Sequence, residues 1–391
     1  MDFDFDTPLA LRGAHCSKYD GIEKMFGMDH PDMIPMWVAD MDFATAPAIR
    51  DALSAEITRG HMGYYGNIEP AQTALINWSR TQQNWEIDRE AIRFNTGVMA
   101  GYADAVEAFS APGDGVIIFT PVYHEFRMKI TALKRRVVSS PLKVVDGRHE
   151  MNLVALAASL KGDEKILTLC SPNNPGGRIW TADEIRAVAA FCVEHDLLLI
   201  SDEIHMDLLH PGAEAVVTAV AAPDISDRLV VITAASKAFN IAGLKTGIMV
   251  IPDTAVRSRI DALTKARASS PNRLGMAALM AAYTASAEWQ AALMEYLAGN
   301  FELWRDRIGA LPGVRVMDMQ ATYLTWVDFT GTGLSENDLM ARFLKEAHVA
   351  PNPGSQFGLG GEGHLRCNIA LPRPTLVTAI ERIEAAFSDL Q

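Results

Sequence analysis

Between residues 90 and 250 the chain carries four short, unbroken apolar runs: GVIIF (Gly115–Phe119), KILTLC (Lys165–Cys170), LLLIS (Leu197–Ser201) and LVVIT (Leu229–Thr233). None alternates polar with apolar residues, so none can leave one face in water. Such runs fit strands covered on both faces. Between the second and third lies TADEIRAVAAFCVEH, where Thr181 suits a helix N-cap and Glu184 stands three residues on, the pattern of a capping box. Strand, helix, strand at this spacing predicts a parallel sheet with right-handed crossovers. The later chain reads differently. Trp289, Leu293, Tyr296, Leu297 and Phe301 recur at helical spacing over 288–310. YLTWVDF (Tyr323–Phe329) and HLRCNIAL (His364–Leu371) predict strands, and helices are expected near Glu336–Ala347 and up to Phe387. The expected fold class is α/β: a large domain with a mostly parallel sheet covered by helices, plus a smaller α+β C-terminal domain. The expected division is an arm over 1–45 packed on the small domain, a large domain over 46–285 and a small domain over 286–391.

The net charge of −13 argues against nucleic acid or an anionic membrane surface as the main partner. It leaves room for a local basic site that takes a small anion. The start, MDFDFDTPLA, has neither the basic nor the apolar region of a signal peptide. No apolar run reaches the ~18–20 residues that a membrane span needs. Cys16, Cys170, Cys192 and Cys367 form no CxxC and no zinc-type cluster, so free thiols in a reducing cytoplasm and no metal are expected.

In open α/β sheets ligands bind beyond the carboxyl ends of the strands. TPVYHEF follows the first run and presents Tyr123; SPNNPGG follows the second and presents Asn173 and Asn174. DEIH follows the third with Asp202, Glu203 and His205, and AASK follows the fourth with Lys237. Upstream, RFNTGVMAGYADAVEAF sets Gly97 before a helix, where the N–H groups of Val98 and Met99 could hold an anion. A lysine at the end of a buried strand is partly desolvated, which favours the neutral, nucleophilic amine. Taken singly, each residue has a plain structural reading: Lys237 snorkelling to water, Asp202 capping a helix, Asn174 in a turn, Tyr123 packing, His205 satisfied in the core. Taken together they match pyridoxal 5′-phosphate. Its aldehyde needs a lysine, its pyridine nitrogen a carboxylate, its O3′ a donor, its ring an aromatic face, and its phosphate a helix N-terminus with a cation, here Lys245.

SPNNPGG, SDEIH and SKAFNIAGLK resemble the fold-type I pyridoxal-phosphate enzymes of the class I/II aminotransferase superfamily. MWVADMDF (Met36–Phe43), GYYG (Gly63–Gly66), PVYHEF, TYLTWVDF and HLRCNIALP look like its branch of MalY/PatB cystathionine β-lyases. The resemblance implies that Lys237 forms an aldimine with the cofactor, Asp202 pairs with the pyridine nitrogen, Asn174 donates to O3′, and Tyr123 stacks on the ring. It implies a phosphate site of Gly97, Val98, Met99, Ser236 and Lys245, with Tyr64 reaching a phosphate across a homodimer interface. Arg366 would clamp the substrate carboxylate, with backbone near Ala39 and Asp40 opposite. Tyr64 and Tyr123 are candidate donors to the leaving sulfur. The chain departs from the pattern at His205, where many relatives have tyrosine, at Lys245, where arginine is frequent, at Ala234, where serine is common, and at Gln320–Ala321, where Glu-Gly is usual. The implied reaction is release of thiol, pyruvate and ammonia from cystathionine or a related S-substituted cysteine. An aminotransferase shares every step up to loss of the Cα proton, and a regulatory protein could keep the same fold, so both stay open here.

Overall fold

In the computed structural model, which describes residues 3–267 and 270–390, the four apolar runs lie side by side at the centre of one seven-stranded sheet. The order is Ile92–Asn95, Gly247–Val250, Leu229–Thr233, Leu198–Asp202, Glu164–Cys170, Gly115–Thr120 and Arg136–Pro141. The last five run parallel. Every residue of Gly115–Thr120 and Leu198–Asp202 is buried, as helices on both faces require. The Ala182–Glu194 helix starts on the expected capping box: Thr181 Oγ1 accepts from the Glu184 N–H at 3.2 Å, and the Glu184 carboxylate accepts from the Thr181 N–H at 2.9 Å.

One strand breaks the parallel pattern. Gly247–Val250 runs antiparallel to both of its neighbours. The chain between Thr233 and Gly247 is taken up by the turn that carries Lys237 and a short 3-10 segment, Ala242–Leu244. A parallel return is usually carried by a crossover α-helix; this connection forms none, and the strand comes back in the opposite sense.

After the long Ala287–Ile308 helix the chain builds a four-stranded antiparallel sheet in the order Arg315–Val316, Leu324–Asp328, His364–Asn368, Asn352–Pro353. The helix expected near residues 336–347 is present as Glu336–Ala341, continued by one π turn, Arg342–Glu346. The strand Ile34–Pro35 pairs in parallel with Val349–Ala350, and the Asp42 N–H donates to the Ala370 carbonyl. The segment between them, residues 37–43, thus lies along this smaller sheet as a strap. Among the described residues no helix is long and apolar enough to cross a membrane.

The strap is tied down by a group that sequence reading did not find. Lys18 is fully buried, and its Nζ lies 3.0 Å from Asp42 Oδ1 and 3.3 Å from the Asp40 carbonyl. Tyr19 donates to Asp42 Oδ2 at 2.7 Å. Removing one partner of a buried pair leaves a bare charge in a poor solvent, at a cost of about 3–5 kcal/mol. Lys18→Ala should therefore lower the urea midpoint well beyond the effect of a surface Lys→Ala change. Equal midpoints would show that the pair holds nothing.

Candidate active site

The carboxyl ends of the parallel strands open on a cavity of about 560 Å3. Asp202 ends its strand and pairs in register with Cys170, which ends the next. Both line the cavity, as do Asn174, Tyr123, His205, Ser236 and Lys237 from the turns that follow the strands. Gly97, Val98 and Met99 line it from the start of the Val98–Phe109 helix, and Lys245 lines it from the turn before Gly247. Residues far apart in sequence therefore share one wall because one sheet edge collects its loops.

Gly97 has φ 127°, a conformation that L side chains rarely adopt, and a Cβ there would meet only open space. The bare backbone faces the cavity. Asn95 Oδ1 takes the Gly97 N–H at 2.9 Å, while the Val98 and Met99 N–H groups have no acceptor among the described residues. Lys245 sits at φ 49°, is exposed, and forms no ion pair with a described residue. Free first-turn donors beside an unpaired cation fit a phosphate.

Lys237 is half-buried and its Nζ donates to the Ala39 carbonyl at 2.5 Å. Burial pulls the amine down to about 8, with Arg366 and Lys245 acting in the same direction and Asp40 and Asp202 against it. Asp202 is 3% exposed, and its one described donor is the Ile204 N–H, 3.1 Å from Oδ1. Burial pushes this carboxyl up to about 7, and Glu203 beside it adds to the rise. A protonated ring nitrogen would supply the missing counter-charge. Tyr123 stands edge-on to Phe126 and His124, and burial pushes its hydroxyl up to about 12, so the phenol stays protonated. His205 is buried with no partner at Nδ1, and burial, then Lys237 and Arg366, pull it down to about 3. Its imidazole is neutral at any working pH.

Arg366 is 2% exposed on the His364–Asn368 strand. It donates to Asn174 Oδ1 at 3.1 Å, to the Trp37 carbonyl at 2.6 Å and to Asn352 Oδ1 at 2.7 Å. Phe357 covers it, with 4.9 Å from Cζ to the ring centre. Every one of these partners is neutral, Nε has no partner at all, and burial pulls the guanidinium down to about 10. A buried cation so placed fits an arriving carboxylate. Arg366 does not itself line the cavity; it stands behind Asn174, as Asp40 stands behind Ala39. Tyr64 is not brought to this cavity. It is 96% exposed, in a loop whose Gly63 and Tyr64 carbonyls accept from Arg273 at 2.9 and 3.2 Å.

The strap is positioned by residues that the sequence did not single out. Asn240, three residues past Lys237 and at φ 54°, accepts from the Met41 N–H at 3.0 Å and donates to the Met41 and Phe43 carbonyls, both at 2.9 Å. Asn368 donates to the Val38 and Asp40 carbonyls at 2.7 and 2.6 Å, and the Tyr323 hydroxyl to the Ala39 carbonyl at 3.1 Å. An asparagine shortly after the lysine, in a left-handed turn, is the one signal that could have been read.

These residues fit pyridoxal 5′-phosphate, since amine, carboxylate, anion cradle and ring-facing phenol surround one space of suitable size. The fit has a consequence for the cofactor-free protein. A carboxyl at about 7, against an ordinary value of about 4, keeps a proton that the unfolded chain has lost. Its contribution to stability is full below the unfolded value and is lost as pH rises through 7. Cofactor-free Asp202→Asn should therefore melt above cofactor-free wild type at pH 8, with the gap closing towards pH 5. Identical melting at pH 8 would show that the carboxylate carries no desolvation cost.

The class I and II aminotransferase model matches residues 31–383. The cystathionine β-lyase PatB of Bacillus subtilis is 34% identical over 388 residues, 98% of this chain and 100% of that protein. The protein MalY of Escherichia coli is 34% identical over 382 residues, 96% of each. The crystal structure of cystalysin from Treponema denticola, which contains a pyridoxal 5′-phosphate cofactor, superposes with a TM-score of 0.95 at 30% identity and covers 100% of both chains. The chain belongs to the class I and II aminotransferase family.

Proposed function

We propose that the protein is a pyridoxal-phosphate-dependent carbon–sulfur β-lyase acting on cystathionine or related S-substituted cysteines, releasing thiol, pyruvate and ammonia. The reaction class rests on one observation: similarity along the whole chain to a protein named as a cystathionine β-lyase. The geometry supports the parts that any amino-acid enzyme of this family needs.

When bound, the cofactor supplies an aldehyde that captures an amine and a protonated ring that accepts the electron pair left by a departing Cα proton. The chain's own groups do the rest. Lys245, Ser236 and the backbone of Gly97, Val98 and Met99 would hold the phosphate. Asp202 would keep a proton on the ring nitrogen. Tyr123 would face the ring. Asn174, and His205 as a neutral imidazole, would serve the O3′ side. Arg366 binds the substrate carboxylate through its unpaired Nε face, opposite the backbone at Ala39 and Asp40. Lys237, held near neutrality by burial, is the base that takes the Cα proton. The Cβ–S bond then breaks, the thiol leaves with a proton, and water converts the released three-carbon enamine to pyruvate and ammonia. Tyr123 and Tyr64 are the candidate donors to sulfur.

The proposed assembly is a cytoplasmic homodimer with shared sites. The division into an arm (1–45), a large domain (46–285) and a small domain (286–391) is retained with it. Tyr64 is almost wholly exposed, and Ile57 and Met62 in the same stretch of chain are exposed at 61% and 55%, apolar surface that a second copy would cover.

Two measurements test this reading. Incubation with cystathionine alone should release pyruvate at a rate that an added 2-oxo acid does not raise. Amino transfer to the 2-oxo acid without pyruvate from cystathionine alone would make the protein an aminotransferase. For shared sites, a Tyr64→Ala and a Lys237→Ala variant, each reduced on the order of 10²–10⁴-fold, are mixed under subunit exchange. Hybrids should regain up to half the wild-type activity per site pair, because one site then holds both native residues. Exchange without recovery would reject the sharing.

A further inference from the structure

Two charges of opposite sign meet at the strap, the buried Arg366 and the partly buried Asp40, and neither has an ionic partner among the described residues. Arg366 holds the Trp37 carbonyl and keeps an orphaned Nε. Asp40, three residues along, has a buried Oδ1 with no hydrogen-bond partner. Lys18, the cation nearest to hand, is already spent on Asp42 Oδ1 and on the backbone carbonyl of Asp40. A carboxylate oxygen buried without a partner is costly and calls for a compensating group.

In the chain between Trp37, which Arg366 holds, and Asp40 lies Ala39, whose carbonyl accepts from Lys237 Nζ at 2.5 Å. An amino acid that exchanges places with Lys237 brings its own nitrogen to this position. It arrives as a zwitterion, a carboxylate on one carbon and an ammonium on the same carbon, so it carries both of the missing partners at once. We infer that Asp40 is the counter-charge for the substrate α-ammonium, so that Arg366 and Asp40 together read the zwitterion before any bond changes. This rests on the reading of the cavity as an amino-acid site, and it gives Asp40 a side-chain role beside the backbone role of its neighbour. The charged groups that face Asp40 are Lys18, Lys237 and Asp42, and the hydroxyl of Tyr323 is also within its field. Asp40 is the strongest of the anions that act on the Lys237 amine, ahead of Asp202. A nitrogen that takes the place of that amine meets the same field.

The arrangement also predicts selectivity. A carboxylate that lacks the amino group satisfies Arg366 but leaves Asp40 bare. Such a compound gains nothing from the second charge and has only the first to hold it.

The test uses the holoenzyme and two probes that cannot turn over. One is the 2-methyl derivative of S-methylcysteine, which has no Cα proton, titrated by calorimetry into borohydride-reduced holoenzyme, whose cofactor can exchange no bond with it. The other is 3-(methylsulfanyl)propanoate, the same skeleton without the amine, read by competition against the first. Asp40→Asn should weaken the amino acid by roughly tenfold or more while leaving the propanoate constant unchanged. Asp40→Glu, which keeps the charge, should recover part of the lost affinity. If Asp40→Asn weakens both probes alike, or prevents cofactor loading where Asp40→Glu does not restore amino-acid selectivity, Asp40 only shapes the strap and the inference is overturned. Unchanged amino-acid binding overturns it as well. Neither probe is eliminated or transaminated, so failure here is separate from failure of the lyase reading, which only the pyruvate assay decides.

Discussion

Asp202 and Arg366 are buried and Lys237 half-buried in or beside one cavity, and none has an opposite charge within ion-pair distance among the described residues. Taking a charge out of water costs several kcal/mol even in a real protein. A chain that folded only for stability would pair these groups or replace them with apolar ones. Here each is left incomplete in a different way. Asp202 lacks a cation, Arg366 lacks an anion, and Lys237 is pulled towards its neutral form. The missing partners are those that a protonated ring, a carboxylate and an aldehyde would provide. The site therefore binds by completing charges that folding has already buried, and binding energy offsets a cost met in advance.

The scaffold that bears this cost is ordinary in its parts. The central strands are buried along nearly their whole length. They fix Asp202 and the turns carrying Tyr123, Asn174 and Lys237 to one edge with little freedom. Arg366 comes from the other sheet, paired in register with Trp326. The strap joins the two. Its backbone carbonyls are claimed one after another by Arg366, Asn368, Lys18 and Asn240, so the Ala39 oxygen that meets Lys237 has little room to move. Buried amide side chains that hold main-chain carbonyls are well suited to this, since they satisfy polar groups without adding charge next to Lys237.

What could be read in the sequence follows from how each feature is encoded. The central strands were legible because burial on both faces demands unbroken apolar runs, and the Ala182–Glu194 helix because its cap is written in Thr181 and Glu184. Tyr123, Asn174, Asp202 and Lys237 were legible because topology forces whatever follows a parallel strand to one edge. The antiparallel strand Gly247–Val250 was not, since its direction depends on what the Lys237 turn leaves room for. Lys18 was not, because nothing local marks a lysine in the four-residue Ser17–Asp20 helix as buried; its partner Asp42 lies beyond the next helix. Arg366 was found only through likeness to a family. Its isolation from carboxylates is a property of three dimensions, as is the isolation of Asp40. Tyr64 marks the opposite limit: the chain by itself leaves it almost wholly in solvent, away from the cavity.

The departures at Lys245, His205 and Gln320 leave a cation in place and add no charge to the site. Lys245 puts a point charge where a fork-shaped cation is frequent, but the Val98 and Met99 N–H groups would supply directional donors to an anion held there. His205 replaces a phenol with an imidazole, and its burial beside Lys237 and Arg366 keeps that imidazole neutral. A charged imidazole there would add a third cation to a region that already holds two, and would disfavour protonation of a ring nitrogen beside Asp202. Neutrality removes that conflict and leaves one ring N–H as a donor, the service a phenol would give. The Gln320–Ala321 position acts on shape. The Gln320 and Ala321 N–H groups donate to the Gly177 carbonyl, and Gln320 Oε1 accepts from the Ile179 N–H at 3.2 Å, which ties this segment to the turn that carries Asn174. A glutamate there would place a negative charge on the chain leading into Asn174 and Arg366. The neutral amide adds no such charge, and a carboxylate brought to Arg366 would meet a guanidinium with only neutral partners.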